Sequence, residues 1–220
     1  MLHSGSRNIG NVIAKHHIEK AKKICEQRQL PHTDLAWLSI EDGDAYTSYV
    51  HDLAWAQDYA TLNRAAMFEI TWNKLLEQFP KMKLVNKVIS CHHNYVEFDY
   101  NNQKDLFLTR KGAVAAYEGS IGVILGSMGT KSYIVEGRGS EASYNSCSHG
   151  AGRKYSRSSA KKHFDVKDLI AQTQGIECRK DISVLDEIPG AYKDVEVVMA
   201  NQSDLVDIKY ELKQVLCIKG

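Results

Sequence analysis

The sequence predicts an α+β fold in which long packed helices accompany small mixed β-sheets. Two observations carry this prediction. The first eighty residues place apolar side chains at three- and four-residue steps, and Pro31 and Pro80 follow the two periodic runs. After Pro80 the chain changes to short β-branched and aromatic runs separated by polar or glycine-rich turns. The order lacks a βαβαβ rhythm, so we expect no doubly wound sheet.

Two helices are predicted first. One spans residues 10–29, with Ile18 among its inward positions, and an acidic loop at residues 41–44 follows it. The other spans residues 48–79, with Ile70 on its inward stripe. The tyrosines and tryptophans of this second helix are typical of packing side chains and not of a stacking platform.

Strands and shorter helices are predicted for the rest of the chain. Five strands are expected, at residues 84–90, 95–100, 106–109, 121–125 and 132–135. A polar and basic segment, residues 151–179, is expected to be helical in part. Three apolar runs close the chain as helix or strand, at residues 195–200, 205–210 and 215–218.

Composition limits the function classes. The chain has 220 residues, enough for one domain or one and a half, and its 43% hydrophobic and 25% charged residues are typical of a globular protein. Its net charge is +1, so nucleic-acid binding would need a local basic patch. No apolar run approaches the ~20 residues of a membrane helix. Five scattered cysteines without a C-x-x-C pair indicate neither a disulfide framework nor a zinc site, so we expect a cytoplasmic protein.

Three of the nine histidines lie in predicted loops. His3 lies in a Ser/Gly loop, His93 is expected just after the strand at residues 84–90, and His149 precedes Gly-Ala-Gly. Neutral imidazole is a common metal ligand, and loops at strand ends often carry ligands. Each histidine taken alone is more often a polar residue at a turn, and the occurrence of three in such loops weakens that interpretation. The adjacent His92 leaves the assignment of His93 ambiguous.

A glycine-rich loop, residues 126–132, is expected to join two strands. Its glycines allow backbone N–H groups to converge on an anion, and Ser127 and Ser132 offer hydroxyl groups to phosphate. The loop does not match G-x-x-x-x-G-K-[ST], which excludes a Walker-type phosphate loop. The alternative is a simple glycine-bearing hairpin.

Positive charge gathers near His149. Arg110 and Lys111 are expected just after a strand, and a basic run follows His149, formed by Arg153, Lys154, Arg157, Lys161 and Lys162. Such residues neutralise phosphates in RNA and DNA complexes, although a charged run is more often a solvated face. The apolar run before Lys219 indicates that this residue is held in a fixed place.

Six short motifs occur along the chain in this order: LHSGSRNIG, HNYVE, RKGA, GSMGTKSYIVEG, SHGAGR and AYKDV. Together they resemble the RtcB-type RNA ligases, from His3 to Gly220. The resemblance implies an RtcB-like fold and an enzyme that joins RNA 3′-phosphate or 2′,3′-cyclic phosphate ends to 5′-hydroxyl ends. It also implies GTP and manganese (Mn2+) as cofactors.

The resemblance also implies residue roles. His149 matches the histidine that attacks the GTP α-phosphate and becomes guanylylated, while His3 and His93 match manganese ligands. Arg153 matches a residue that holds an RNA or nucleotide phosphate. The remaining nucleotide contacts implied by the motifs are Ser127, Ser132, Ala151, Gly152, Tyr192 and Lys219.

Two family features are expected to lie upstream of Met1. One supplies an aspartate and a bridging cysteine, and the other is an Asn-His-Phe-x-x-x-Glu segment with a further metal histidine. We therefore expect residues 1–220 to be the C-terminal portion of an RtcB-like ligase domain. Leu125 stands where the family usually has a proline.

Three interpretations remain open at this stage. The chain is part of a GTP-dependent RNA ligase, or an inactive or split homologue that binds guanine nucleotide or RNA ends without ligating alone, or a structural protein that kept the fold. Intact motif residues favour the first interpretation. The expected partners are RNA ends, from tRNA halves or damaged RNA, and a separate N-terminal ligase fragment, with no membrane.

Overall fold

The computed structural model describes residues 1–104 and 106–218. The chain divides into two compact units, Met1–Lys87 and Val88–Gly220, which are described separately below. Helices dominate the first unit, and small β-sheets with short helices form the second. The predicted α+β class is confirmed.

The first unit consists of two long helices and short helical turns. Helix α1 spans Arg7–Ile24 and continues as a single 3-10 turn, and helix α2 spans Asp44–Gln78. The two helices contact each other through the buried His17, whose Nε2 lies 2.8 Å from Asp52 Oδ2. Both predicted helices are therefore present, with each boundary shifted by one to five residues.

The inward positions of these helices were predicted less well. His17, Ala21 and Ala60 are buried within the unit, but Ile18 is 51% exposed and Ile70 is 65% exposed. A three- and four-residue apolar repeat marks one helix face, and two helices alone offer too little partner surface to bury all of it.

In the described part of the second unit the strands are short and lie in four small sheets. Strands β1 and β2 pair antiparallel, as do β3 and β6, and the order β4-β5-β8 forms an antiparallel three-stranded sheet. Strands β7 and β9 pair in parallel. Their bounds are Asn94–Glu97 (β1), Leu108–Lys111 (β2), Ala113–Ala115 (β3), Ile121–Ile124 (β4), Ser132–Gly137 (β5), Ser146–Ser148 (β6), Glu177–Cys178 (β7), Val206–Leu212 (β8) and Leu216–Cys217 (β9).

Three short helices complete this unit, namely α3 (Arg157–His163), α4 (Val166–Gln172) and α5 (Val195–Ala200). The buried apolar residues form two clusters. One is built on the sheets and α5 and includes Ile124, Val135 and Val195, and the other lies under α3 and α4 and includes Leu169 and Ile188. Tyr192 packs against both clusters, so it links the two halves of the core.

One predicted strand is wrong. Residues 84–90 form neither helix nor strand, and Val85 is 91% exposed. A β-branched run becomes a strand only where a neighbouring strand accepts its hydrogen bonds, and no described strand pairs with this segment. His93 consequently lies just before β1 and does not end a strand.

The other predictions for this unit hold with small shifts. The hairpin of β4 and β5, the partly helical basic segment and β8 are all present, and residues 195–200 resolve as helix. No helix in the described part of the chain combines the length and the apolar character that crossing a membrane requires. The five cysteines are free thiols, as the sequence predicts.

Candidate functional site

His149 lies directly after β6, where the chain passes close to the end of β4. The backbone of this segment is bonded to Leu125, whose N–H donates to the His149 carbonyl at 3.0 Å and whose carbonyl accepts from Ala151 N at 3.0 Å. A Cβ at Gly150 would meet the Leu125 carbonyl oxygen at 2.6 Å, so only glycine permits this approach. The glycine next to His149 thus allows its backbone segment to pack directly against the backbone of Leu125.

One ring nitrogen of His149 is fixed by the backbone. Its Nδ1 lies 2.7 Å from the carbonyl oxygen of Gly112. A carbonyl oxygen only accepts hydrogen bonds, so Nδ1 carries the proton and the neutral ring keeps the lone pair on Nε2. A half-buried imidazole held in this way has its nucleophilic nitrogen directed away from the hydrogen-bonded edge.

Gly112 forms the corner between β2 and β3. Its φ of +67° is in the left-handed region, and a Cβ there would lie 3.3 Å from Cε1 of His149. Its N–H donates to the His93 carbonyl at 2.7 Å and to Asn94 Oδ1 at 2.9 Å. The RKGA motif was expected to supply positive charge, and the role of this glycine was not predicted, although a glycine between two strands is a recognisable signal.

His93 is brought against His149. The two imidazole rings are stacked, with centroids 5.1 Å apart and planes at 5°. The neighbouring His92 ring contacts Tyr95 instead, at 5.4 Å between centroids, which resolves the ambiguity between the two histidines. The structure therefore places one sequence-predicted metal ligand beside the predicted nucleophile.

His3 belongs to the first unit. The loop that carries it is held by Asn63 of α2, whose Nδ2 donates to Ser4 Oγ and to the Gly5 carbonyl, both at 3.0 Å. The His3 side chain is exposed. Across residues 1–104 and 106–218, no three His, Cys, Asp or Glu side chains converge as a metal site would require. The assignment of His3 and His93 to manganese stays a prediction.

The glycine-rich loop is a braced hairpin turn. Ser132, at the start of β5, is 1% exposed, and its Oγ accepts from Gly126 N at 3.0 Å. Ser127 is 5% exposed, and its N–H donates to Thr130 Oγ1 at 2.7 Å. Both predicted nucleotide-contacting serines therefore stabilise the turn, and their contact with a nucleotide stays a prediction.

A second cluster is formed by Arg153, which lies three residues beyond Gly150, and Tyr192. Ala151 is buried, and Gly152 adopts a φ of +70° and accepts a hydrogen bond from Lys193 N at 2.9 Å. The Arg153 guanidinium lies 4.8 Å from the centroid of the Tyr192 ring, and its Nη1 donates to the Tyr192 hydroxyl at 3.0 Å. Its Nε donates to the Tyr155 carbonyl at 2.9 Å.

An acidic pair, the buried Asp186 and the half-buried Glu187, organises this cluster. The Tyr192 hydroxyl donates to Glu187, and burial together with this hydrogen bond raises the pKa of Tyr192 to about 12. Arg157 Nη1 donates to Asp186 Oδ2 at 2.6 Å, and Lys161 Nζ lies 3.4 Å from Asp186 Oδ1. The sequence analysis did not single out this Asp-Glu pair.

The basic run is therefore not the free cationic patch that the sequence suggested. Arg153, Arg157 and Lys161 each form an ion pair with Asp186 or Glu187. Three of the five expected phosphate-binding cations are thus paired with two carboxylates within the protein, which weakens the field they offer to RNA.

Arg110 also differs from expectation. It lies within β2, is 2% exposed, and forms an ion pair with Glu97. Its Nη1 donates to the Tyr95 hydroxyl at 2.8 Å and its Nε to Ser146 Oγ at 2.9 Å. Alternation along the strand places this side chain inside the unit, so Arg110 is a structural residue and only the exposed Lys111 faces solvent.

The last predicted contact, Lys219, lies outside the described residues. Among the cysteines, Cys147 lies two residues before His149, and burial raises its pKa to about 11. A thiol with a raised pKa is a poor nucleophile, so Cys147 acts as a core residue.

Comparisons with known proteins agree with this picture. The family described as RtcB, tRNA-splicing ligase RtcB, matches residues 1–220. An RNA-splicing ligase RtcB from Escherichia coli strain K12 is 49% identical over 100% of this chain and 55% of its own length, and RtcB1 from E. coli strain ATCC 25922 gives the same figures. A tRNA-splicing ligase RtcB from Nanoarchaeum equitans is 27% identical, over 100% of this chain and 52% of its own. The chain spans about half the length of the curated relatives it matches.

Proposed function

Since the chain belongs to the RtcB family, we propose that it carries the nucleotide-attacking part of a GTP-dependent RNA ligase. The ligase would join RNA 3′-phosphate or 2′,3′-cyclic phosphate ends to 5′-hydroxyl ends through a guanylylated His149. One observation supports this most directly, namely the 2.7 Å hydrogen bond between His149 Nδ1 and the Gly112 carbonyl. It keeps the neutral ring in the tautomer that leaves Nε2 free to attack.

The chemical step follows from that tautomer. Nε2 of His149 would attack the α-phosphorus of GTP, forming an N–P bond while the bond from phosphorus to the pyrophosphate oxygen breaks. No proton has to leave the ring before the attack. The ring then carries a positive charge, and the Gly112 carbonyl stabilises it by accepting from Nδ1–H.

Manganese is part of the proposal, as a Lewis acid for the nucleotide phosphates. Within the second unit His93 supplies one imidazole, and the described residues of the chain include no group of three potential ligands. These residues do not by themselves make up a manganese site, so no step is assigned to the metal. His3 and His93 are the imidazoles that we propose as its ligands from this chain.

The proposed partners are RNA ends, from tRNA halves or damaged RNA, in the cytoplasm. A guanidinium has five N–H groups, and three nitrogens of Arg153 donate to protein acceptors. We propose that its two remaining N–H groups donate to phosphate oxygens beside the ion pair with Glu187. The exposed Lys154, next to Arg153 in the sequence, and the exposed Lys111, next to Gly112, would add positive charge.

The test is covalent labelling with GTP that carries a radioactive α-phosphate. The chain would be incubated with manganese in two samples. One sample holds the chain alone, and the other also holds the part of the Escherichia coli relative that the chain does not cover. We expect weak labelling of the chain alone and strong labelling in the mixture, acid-labile as for a phosphoramidate. His149→Gln should abolish the label, and His51→Gln, at an exposed histidine of the first unit, should keep it.

Two outcomes would change the proposal. A label that survives His149→Gln would place the covalent bond elsewhere. A well-folded mixture that binds GTP but is never labelled would favour the alternative, a homologue that binds guanine nucleotide or RNA ends without ligating.

A further inference from the structure

We propose that Asn94 is a positioning residue for His149 and acts through the backbone of Gly112. The proposal rests on the proposed function, in which His149 is the nucleophile. Three hydrogen bonds connect the three residues, and one of them joins backbone to backbone, from His149 N to the Gly112 carbonyl at 3.4 Å. Asn94 Oδ1 accepts from Gly112 N at 2.9 Å, and the Gly112 carbonyl accepts from His149 Nδ1 at 2.7 Å.

The position of Gly112 explains why its backbone needs an additional bond. The β1–β2 ladder ends at the pair Asn94 and Lys111, and the next residues enter β3, which pairs with β6. Gly112 therefore lies between two sheets and belongs to neither ladder. Glycine is the residue whose backbone is most free to rotate, and here it is held at a φ of +67°.

Side-chain and main-chain acceptors fix the two peptide planes that meet at Gly112. The N–H of Gly112 donates to both Asn94 Oδ1 and the His93 carbonyl, and the N–H of Ala113 donates to the same carbonyl at 3.3 Å. Of these acceptors only Asn94 Oδ1 belongs to a side chain, so it is the one that a substitution removes cleanly.

The hydrogen bond between Asn94 and Gly112 would affect the attack on GTP through the tautomer of His149. If Gly112 rotates, its carbonyl moves away from Nδ1 and the ring is free to carry its proton on Nε2. That tautomer has no lone pair on the attacking nitrogen. Asn94 would then support catalysis without touching the nucleotide.

The competing explanation is that the exposed Asn94 amide binds the ligand directly, and a measurement without ligand separates the two. The full chain, labelled with 15N-histidine and free of GTP and metal, would be studied by long-range 1H–15N correlation NMR. Spectra are compared at a pH at which the 15N shifts show neutral rings. His149→Gln identifies the relevant signals.

Three variants are compared with the wild type. Asn94→Ala removes the acceptor, Asn94→Asp keeps an Oδ acceptor, and Gln174→Ala removes an exposed side-chain amide elsewhere in the same unit. We expect the Nδ1–H tautomer to predominate in the wild type, Asn94→Asp and Gln174→Ala. Asn94→Ala should show a clear increase in the Nε2–H tautomer, and Asn94→Ser, whose side chain is too short, repeats the test if the alanine variant is poorly folded.

An unchanged His149 tautomer in folded Asn94→Ala and Asn94→Ser overturns the proposal, even if guanylylation falls, because Asn94 would then act on the ligand. Where guanylylation is measurable, Asn94→Ala should slow it about fivefold, the effect of one ordinary hydrogen bond, and Asn94→Asp should recover most of the rate. If the wild type is never guanylylated, the proposed function fails while the tautomer result still decides the role of Asn94.

Discussion

The imidazole rings of His93 and His149 lie parallel, with 5.1 Å between their centroids and 5° between their planes. His93 precedes β1 and His149 follows β6, so the contact joins two different sheets. Gly112 bonds to both residues, donating to the His93 carbonyl and accepting from His149 Nδ1. One backbone corner therefore holds the predicted metal ligand and the predicted nucleophile together.

The first prediction separates the packing role of His93 from a ligand role. His93→Phe keeps a flat ring against His149 but removes both ring nitrogens, while His93→Ala removes the ring. We expect the phenylalanine variant to unfold at nearly the wild-type urea concentration, and the alanine variant to lose about 1 kcal/mol of unfolding free energy, as for a lost aromatic pair. Both should lose manganese-dependent guanylylation.

His92→Phe is the matched control, because the His92 ring contacts Tyr95 and not His149. It should retain guanylylation. Wild-type labelling in His93→Phe would mean that His93 acts by packing alone, and its assignment to manganese would be withdrawn.

The second prediction concerns the space beside His149. Gly112→Ala places a Cβ 3.3 Å from Cε1 of His149 and also forces alanine to a φ of +67°. The backbone penalty alone is roughly 1 to 2 kcal/mol for a non-glycine residue. We expect guanylylation to fall strongly, because the ring must shift from its hydrogen bond with the Gly112 carbonyl.

Gly119→Ala provides the control for this variant. Gly119 has a similar φ of +73°, and a Cβ there meets nothing within 4 Å. It should lower the free energy of unfolding by a comparable amount without slowing guanylylation. Equal losses of activity in the two variants would show that stability, and not the position of the imidazole, limits the reaction.

The sequence was sufficient for features that depend on local pattern. The hairpin of β4 and β5 was predicted because a glycine-rich turn separates two β-branched runs. Helix bounds shifted by a few residues because capping and the surrounding turns decide where a helix ends.

Features that depend on distant partners were not predictable in this way. Residues 84–90 have strand composition but no pairing strand, and Arg110 looked like a surface cation until Glu97 and Tyr95 were found around it. The Asp186–Glu187 pair lies 33 residues beyond Arg153, and nothing in its local sequence indicates which cations it neutralises. The electrostatic field at a protein surface can be predicted from the sequence only when it is known which charged residues form such pairs.

The third prediction tests the structural role of Arg110. Its guanidinium is buried, paired with the half-buried Glu97 and bonded to Tyr95 and Ser146, so Arg110→Ala leaves the Glu97 carboxylate without its cation. Breaking a buried ion pair costs about 3 to 5 kcal/mol. We expect urea unfolding to show a loss of this size, and the exposed Arg138→Ala, which breaks a surface pair with Asp207, to change stability little. A small loss for Arg110→Ala would return this residue to the group of candidate phosphate ligands.

The fourth prediction is the pH dependence of the acidic pair. Burial opposes ionisation of Asp186, but hydrogen bonds from Arg157 and Lys161 hold the pKa of its carboxyl below the usual value. The folded protein then binds this proton more weakly than the unfolded chain does. The carboxylate therefore contributes stability above the ordinary carboxyl pKa of about 4, and the contribution is lost as the pH falls through the lower, folded value.

Thermal unfolding of the wild type and Asp186→Asn across this pH range measures the effect. We expect the variant to unfold at a lower temperature at neutral pH, and the difference to close as the pH falls below about 4. Asp207→Asn, at an exposed pair, should differ little from the wild type at neutral pH, and salt should reduce that difference further. A difference for Asp186→Asn that persists to about pH 2 would show that shape or hydrogen bonding, and not the charge of Asp186, holds Arg157 and Lys161 in place.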